Sequence, residues 1–252
     1  MDSAVIAHLL ETRILPPGDV NSNVQLALRS LHLVAGIAWI GLLYFFNLVG
    51  FPVMQKFDLP TRGKVIPALL PPALWWFRWG AVVTVLAGFL FWVLILHTEP
   101  PDDPGSYLLR TLGLWFLLVV VAFGIQMGLL RVPFLVKNAP AFVVVDVLVV
   151  LLLLGHFLVQ WVSYAGASNR TLSIAVGGGI GLLLLLNVWG IVWRAQKRLI
   201  AWVKENPGEP PPPDLAGRIR QAYLVSRASF WLSFPMLFFM AAASHYPLFS
   251  SG

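Results

Sequence analysis

The sequence predicts an all-α membrane protein, a polytopic bundle of about six transmembrane helices. Of its 252 residues, 58% are hydrophobic and 11% are charged, whereas a soluble globular domain carries about 25% charged residues. The mean hydropathy is +0.80. Six continuous apolar runs each reach the roughly 20 residues that a spanning helix needs. A membrane β-barrel would instead show short segments of alternating hydrophobicity.

The predicted spans follow one another with short connections. We place them at roughly 25–52, 76–97, 108–130, 141–164, 171–194 and 222–244. They form one transmembrane domain over residues 25–246, with an extramembrane segment at 1–24 and a short external tail at 247–252. Residues 1–24 lack the basic start and long apolar core of a signal peptide.

The basic residues predict the topology. Predicted loops 1, 3 and 5, with the adjoining helix ends, hold 13 of the 17 Lys and Arg residues. By the positive-inside rule these loops are cytoplasmic and both termini are outside. We therefore expect a multi-pass membrane protein with these loops on the cytoplasmic side. The sequence pI near 10.0 then reflects topology and contact with the lipid bilayer, so no nucleic-acid partner is expected.

Two connections and one glycine cluster complete this organisation. Predicted loop 1 (53–75) contains four prolines, and loop 5 contains a proline-rich stretch at 205–214, which predicts a stiff linker. The glycines at 177–181 lie inside an apolar run without a preceding strand. They therefore predict close helix packing and not a nucleotide-binding loop.

The absence of cysteine limits the redox chemistry. The chain contains none, which excludes disulfides, thiolate metal sites, iron–sulfur clusters and covalent attachment of c-type haem within it.

The histidines are the strongest functional signal. Four of the five, His32, His97, His156 and His245, fall in the outer half of the predicted bundle or at its outer surface. Ionisable residues inside a membrane are rare and mark functional sites by default. Imidazoles at similar depth indicate haem or metal ligation.

His32 and His156 are the predicted axial ligands of a haem b. Both lie about 10–12 Å from the outer ends of their predicted helices, at 1.5 Å per residue. Gly36 and Gly155 would let a flat macrocycle approach the backbone, and Arg29 could pair with a propionate. The alternative is that both histidines are hydrogen-bonded core residues.

His97 and His245 end their predicted helices at the outer surface. They could bind a second haem or a metal, exchange protons, or simply be solvated. One haem b is therefore expected, and two if this second pair also binds.

A second set of polar residues lies in the predicted inner half. It could bind a polar substrate or a quinone head group from the cytoplasmic side, or its members could be interhelical hydrogen bonds. A lone carboxylate in lipid is costly, so we expect Asp146 to pair with Arg78 or Arg227. The set comprises Asn47, Arg78, Gln126, Asp146, Asn187 and Arg227.

Several stretches resemble a known family, the bacterial membrane-bound urate hydroxylases, through their urate oxidase N-terminal membrane domain. The resemblance covers about half of the residues and includes His32 and His245, whereas His97 and His156 lie outside it. The start of the first span is also similar to the haem-binding membrane protoporphyrinogen oxidases. The matching strings are LHLVAGIAWIGLLYFFNLVGFPV (31–53), PALLPPALWWFRWGAVVTVLAG (67–88), NVWGIVWRAQKRL (187–199) and SRASFWLSFPMLFFMAAASH (226–245).

The resemblance implies oxidation of urate to 5-hydroxyisourate in purine catabolism, with electrons passed to a c-type cytochrome. Family members typically carry a C-terminal cytochrome c domain, which this sequence lacks, so we expect a separate cytochrome or another membrane redox subunit as the partner. The leading hypothesis is therefore a haem b-binding membrane oxidoreductase engaged in electron transport. The alternative is a non-catalytic membrane subunit of a larger respiratory or photosynthetic complex.

Overall fold

A computed structural model describes residues 18–99, 104–164 and 166–249 of the chain. Within these ranges all regular structure is helical, and six helices are long and apolar enough to cross a membrane, which confirms the predicted fold class. We number them α1 (Val20–Lys56), α2 (Leu59–Thr98), α3 (Gly105–Leu129), α4 (Ala139–Ser163), α5 (Asn169–Glu205) and α6 (Pro213–Ala242).

Three of the six helices contain a π-helical segment. These segments are Phe45–Gly50 in α1, Leu151–Phe157 in α4 and Val188–Val192 in α5. Each lies between α-helical stretches of the same helix. Such π-bulges occur frequently at functional sites.

The prediction that residues 53–75 form a loop is wrong. The chain turns at Phe57 and Asp58, and α2 begins at Leu59 and continues through three internal prolines. Asp58 caps the new helix, because its carboxylate accepts a hydrogen bond from the Thr61 amide at 2.9 Å. Each internal proline removes one backbone hydrogen bond, but the packing of Ile66, Leu74 and Phe77 in the interior holds the helix together. The other predicted linker is confirmed, since α5 ends at Glu205 and α6 begins at Pro213.

Helix α5 forms the centre of the bundle and packs against α2, α3, α4 and α6. Its glycines permit this close approach. A Cβ at Gly177 would lie 3.1 Å from the Met236 carbonyl oxygen, and a Cβ at Gly179 would lie 3.2 Å from the Trp115 indole nitrogen. The predicted role of the glycine cluster in helix packing is thereby confirmed.

Helix α1 lies at the periphery, packs mainly against α2 and also contacts α6. Small residues again bring the two backbones together. A Cβ at Gly80 would lie 3.4 Å from the Trp39 Cβ, and one at Gly36 would lie 3.6 Å from the Thr84 Cγ2. Close contact through small residues is the usual way in which helices associate in lipid.

The helices differ in length, and the excess lies at one end. Helices α1, α2 and α5 contain 37, 40 and 37 residues, whereas α3 and α4 contain 25 each. At 1.5 Å per residue the long helices reach about 55–60 Å, well beyond a hydrocarbon core of about 30 Å. The end that holds the α1–α2, α3–α4 and α5–α6 connections, which we call the basic end, carries the excess length. At the other end, which we call the opposite end, the end of α2 meets the start of α5, since Glu99 after α2 accepts hydrogen bonds from Ser168 and Thr171.

Candidate functional site

The backbone of helix α2 holds the His32 side chain in place. The His32 Nδ1 lies 2.8 Å from the main-chain oxygen of Thr84. Because a carbonyl only accepts, Nδ1 is the donor, and in the neutral imidazole Nε2 is then the nitrogen with the lone pair. The ring occupies the space left by a glycine, since a Cβ at Gly88 would lie 2.6 Å from Nδ1. The imidazole is therefore fixed in orientation and tautomer, with one nitrogen available to a ligand.

A pocket of about 600 Å³ lies at the opposite end, one helical turn from His32. We call it the opposite-end pocket. Its lining comes from two helices and the segment after α6, and it includes Arg29 of α1, Asn169 and Arg170 of α5, and His245. Two guanidinium groups lie over one ring, with the Arg29 and Arg170 carbons 5.7 and 5.3 Å from the centre of Phe91. The pocket thus concentrates positive charge where carboxylate or phosphate groups could bind.

Arg170 is a residue that the sequence reasoning did not identify. It lies in the first turn of α5, whose N-cap is Ser168. Its Nε is buried and has no hydrogen-bond partner among the described residues. An arginine at the end of a span is typical of a topology signal. Only the packing of α1 and α5 on α2 shows that Arg170 and Arg29 lie over the same ring, that of Phe91.

The other predicted histidine ligands are less enclosed than His32. His97 and His156 are exposed on their helices, and the His156 ring lies 5.4 Å from that of Phe157. His245 is also exposed and lies after the end of α6, where its Nδ1 is 3.2 Å from the Ala241 oxygen. His245 lines the opposite-end pocket together with Arg29. His8 lies outside the described residues.

The packing separates the helices that carry His32 and His156. Helix α1 packs on α2 and α6, whereas α4 packs on α3, α5 and α6. The space beside Gly36, predicted to receive a macrocycle, is filled by Thr84 of α2. The space beside Gly155 is open, with nothing within 4 Å of a Cβ placed there. Because α1 does not pack directly on α4, these two helices do not form the predicted slot between His32 and His156.

The predicted inner polar residues separate into local pairs. Gln126 of α3 donates to the Asp146 Oδ2 of α4 at 2.9 Å, and Asn187 of α5 donates to Ser229 of α6 at 3.2 Å. All four side chains are buried. These contacts join neighbouring helices, as interhelical hydrogen bonds do.

Asn47 and Arg227, two further members of this set, join α1 to α6. Asn47 donates to the Leu43 oxygen at 2.9 Å and to the Ser226 hydroxyl at 3.1 Å. Arg227 donates to the main-chain oxygen of Asn47 at 3.4 Å.

Arg78 makes a cation–π contact instead of an ion pair. Its guanidinium carbon lies 3.6 Å from the centre of the Trp193 ring and 5.1 Å from that of Trp189. The predicted pairing of Asp146 with Arg78 or Arg227 is not the arrangement found. The Asp146 carboxylate binds an amide and not a cation. Arg78 contacts aromatic rings, and Arg227 donates to a backbone carbonyl.

No cluster of three or more His, Asp or Glu residues suitable for a metal ion occurs within residues 18–99, 104–164 and 166–249.

Comparison with known proteins identifies the family. A family model described as urate oxidase N-terminal matches residues 50–252, a range that includes three of the four histidines but not His32. No curated protein and no solved structure matches the chain. Because the match covers well over half of the sequence, this six-helix membrane protein belongs to the urate oxidase N-terminal family.

Proposed function

We propose that the chain is a haem b-binding membrane redox protein and that His32 is an axial ligand. The observation that carries this proposal is the contact between His32 Nδ1 and the Thr84 oxygen at 2.8 Å. Histidines that bind a metal usually donate their other ring N–H to a carbonyl or carboxylate, which fixes the ring and raises its basicity. Helix α2 supplies such a carbonyl, and Gly88 leaves room for the ring.

The opposite-end pocket supports the same assignment. Haem b carries two propionates, and arginine binds carboxylates in a bidentate manner. Arg29 lies one turn from His32, and Arg170 lies over the same Phe91 ring as Arg29. Both could hold propionates at the membrane surface, and the buried Arg170 Nε would gain a partner there.

The second axial ligand is open to test. His245 shares the pocket with Arg29 and is the better placed of the candidates. His156 and His97 are the alternatives, with His156 on a helix that packs away from α1. Two imidazole ligands would leave no open position on the iron, so the bound haem would transfer electrons and not bind oxygen.

The partner follows from where the pocket lies. Under the positive-inside topology the opposite end faces outward, so an external c-type cytochrome could accept electrons there. The family description suggests urate as the substrate, and the finer reaction we propose is urate plus water to 5-hydroxyisourate, two protons and two electrons. Two molecules of the c-type cytochrome would each accept one of these electrons. A bacterial inner membrane is the expected location.

A reduced-minus-oxidised difference spectrum of the purified chain tests this function. We expect an α band typical of b-type haem, and reduction of that haem on addition of urate but not of the oxidation product. Absence of haem from protein that elutes as a single folded species would contradict the proposal. If the haem is reduced by dithionite but not by urate, only the choice of substrate is contradicted.

A non-catalytic membrane subunit is the second candidate function. It is favoured by the inner polar residues, most of which bind one another, as in the Gln126–Asp146 and Asn187–Ser229 pairs. In that case the chain should co-purify in fixed stoichiometry with other redox subunits, and the isolated chain should not oxidise urate.

A further inference from the structure

A second cavity, of about 370 Å³, lies at the basic end and is independent of the haem proposal. We call it the basic-end cavity. It lies between α1, α2, α5 and α6, and none of the four candidate histidines lines it. Its volume is within the range of small-molecule sites, about 300–1,000 Å³.

The wall of the cavity is mostly apolar despite the many charges at this end. Its side chains are largely aromatic and aliphatic, and they include Phe45, Phe46, Leu70, Phe77 and Leu199. Two of the π-helical segments contribute to it, Phe45–Gly50 in α1 and the last residue of Val188–Val192 in α5. Departure from regular α-helix in two of the four surrounding helices favours a ligand site over a simple packing defect.

Two polar side chains of the lining can bind a ligand with few polar atoms. Ser226 accepts a hydrogen bond from Asn47 at 3.1 Å and retains its own hydroxyl hydrogen as a donor. Gln196 presents a buried Oε1 that has no hydrogen-bond partner in the described part of the chain. A buried acceptor of this kind is costly unless a ligand or water donates to it.

We propose that the basic-end cavity binds the ring of a lipid-soluble quinone and its quinol. A quinone offers two carbonyl acceptors, which suit the Ser226 hydroxyl, and a quinol offers two O–H donors, which suit the Gln196 Oε1. The apolar wall suits the ring and the start of an isoprenoid chain. A purine fits poorly, because it carries polar atoms around its whole edge and an apolar wall would leave several without partners.

The test uses the full chain in phosphatidylcholine nanodiscs, titrated separately with decylubiquinone, decylubiquinol and xanthine. Saturable binding of the first two is expected. Ile66→Phe adds bulk to a lining residue and should weaken both by at least tenfold. Its matched control is Ile125→Phe, at an exposed position of α3, which should leave both affinities within twofold of those of the unmodified protein.

A second pair of variants tests the polar contact without adding volume. Gln196→Leu should lower the affinity for the quinol about tenfold, the effect of one lost hydrogen bond to a buried group. The affinity for the quinone should fall less. The control Gln221→Leu removes an amide that donates to the Leu130 oxygen just after α3 and should change neither affinity.

Three outcomes would overturn the proposal. One is quinol binding unaffected by both Ile66→Phe and Gln196→Leu. Another is binding abolished by Ile66→Phe but unaffected by Gln196→Leu, which would assign the cavity to a lipid acyl chain. The third is saturable xanthine binding that Ile66→Phe abolishes, which would make the cavity a purine site. Circular dichroism and elution volume establish that each variant is folded, and if Ile66→Phe does not fold, the Gln196 pair alone decides.

Discussion

The two ends of the bundle contrast in charge and in the chemistry of their cavities. The basic end carries most of the Lys and Arg residues, yet its cavity has a mostly apolar wall. The opposite end carries few basic residues, yet two of them lie over one phenylalanine ring in a pocket that also contains a histidine. The number of charges in a region therefore reports its side of the membrane, whereas ligand chemistry depends on which side chains line an enclosed space.

The largest expected effect concerns which end faces the cytoplasm. With Lys64→Cys at the basic end and Ser244→Cys at the opposite end, a membrane-impermeant thiol reagent should label only Ser244→Cys in intact cells. Lys64→Cys should react only after the membrane is permeabilised, because the positive-inside rule places it in the cytoplasm. The chain has no other cysteine, so the background is low. Labelling of Lys64→Cys in intact cells would invert the assignment of both cavities.

Gly88→Ala should disturb the opposite end strongly. The added Cβ would lie 2.6 Å from His32 Nδ1 and 2.7 Å from Cε1, so the ring must leave the Thr84 oxygen. Overpacking of this kind costs about 1–3 kcal/mol, and we expect a lower midpoint of thermal unfolding together with loss of bound haem. Gly113→Ala is the matched control, because nothing lies within 4 Å of its Cβ. Equal haem content in the two variants would show that the orientation of His32 is irrelevant to binding.

The buried Gln126–Asp146 pair should show a smaller effect that depends on which member is changed. Gln126→Leu removes the donor to Asp146 Oδ2 and should lower the free energy of unfolding by about 1–3 kcal/mol, the cost of a buried group left without its partner. Asp146→Asn keeps an acceptor for Gln126 and adds an amide donor. In the described structure of the unmodified protein the Gln126 Oε1 has no hydrogen-bond partner, so the new amide could donate to it. We expect Asp146→Asn to be nearly neutral. Denaturation in mixed micelles measures both, and a larger loss in Asp146→Asn than in Gln126→Leu would indicate that the carboxylate has a cation partner.

The smallest effect is a pH dependence at the N-cap of α2. Hydrogen bonds from Thr61 hold the pKa of the exposed Asp58 carboxyl below its ordinary value. The stabilisation is therefore present above the pKa of the unfolded chain, about 3.9, and is lost as the pH falls through the lower pKa of the folded state. Asp58→Asn should retain a cap and remove this part of the acid dependence. Identical acid unfolding profiles for the two proteins would show that the cap does not couple to folding.

The fold was largely predictable from the sequence, because apolar runs of sufficient length have few alternatives in a membrane. The limits of α2 were not predictable, since a proline-rich stretch normally indicates a loop. Here Asp58 caps the helix and buried Ile66 and Leu74 hold its early turns in place. Tertiary packing thus outweighed the local preference of Pro67, Pro71 and Pro72.

The candidate site was predictable only in part. His32 and Arg29 could be identified because a histidine and an arginine inside an apolar run are unusual. Three other features could not be identified, because each depends on which helices are neighbours. They are the contact of His32 with the Thr84 carbonyl, the space for the ring at Gly88, and the position of Arg170 over the Phe91 ring. A single sequence gives the depth of a residue along its own helix but not the face of the neighbouring helix that it meets.

Haem content across a set of histidine variants tests the central claim most directly. Purified His32→Ala, His97→Ala, His156→Ala and His245→Ala are compared with the unmodified chain by pyridine haemochrome, with elution volume as the check on folding. The account predicts nearly complete loss of haem b in His32→Ala, and loss in whichever one of His245→Ala, His156→Ala and His97→Ala removes the second ligand, with full content in the other two. Folded His32→Ala with full haem content and an unchanged spectrum would contradict the account.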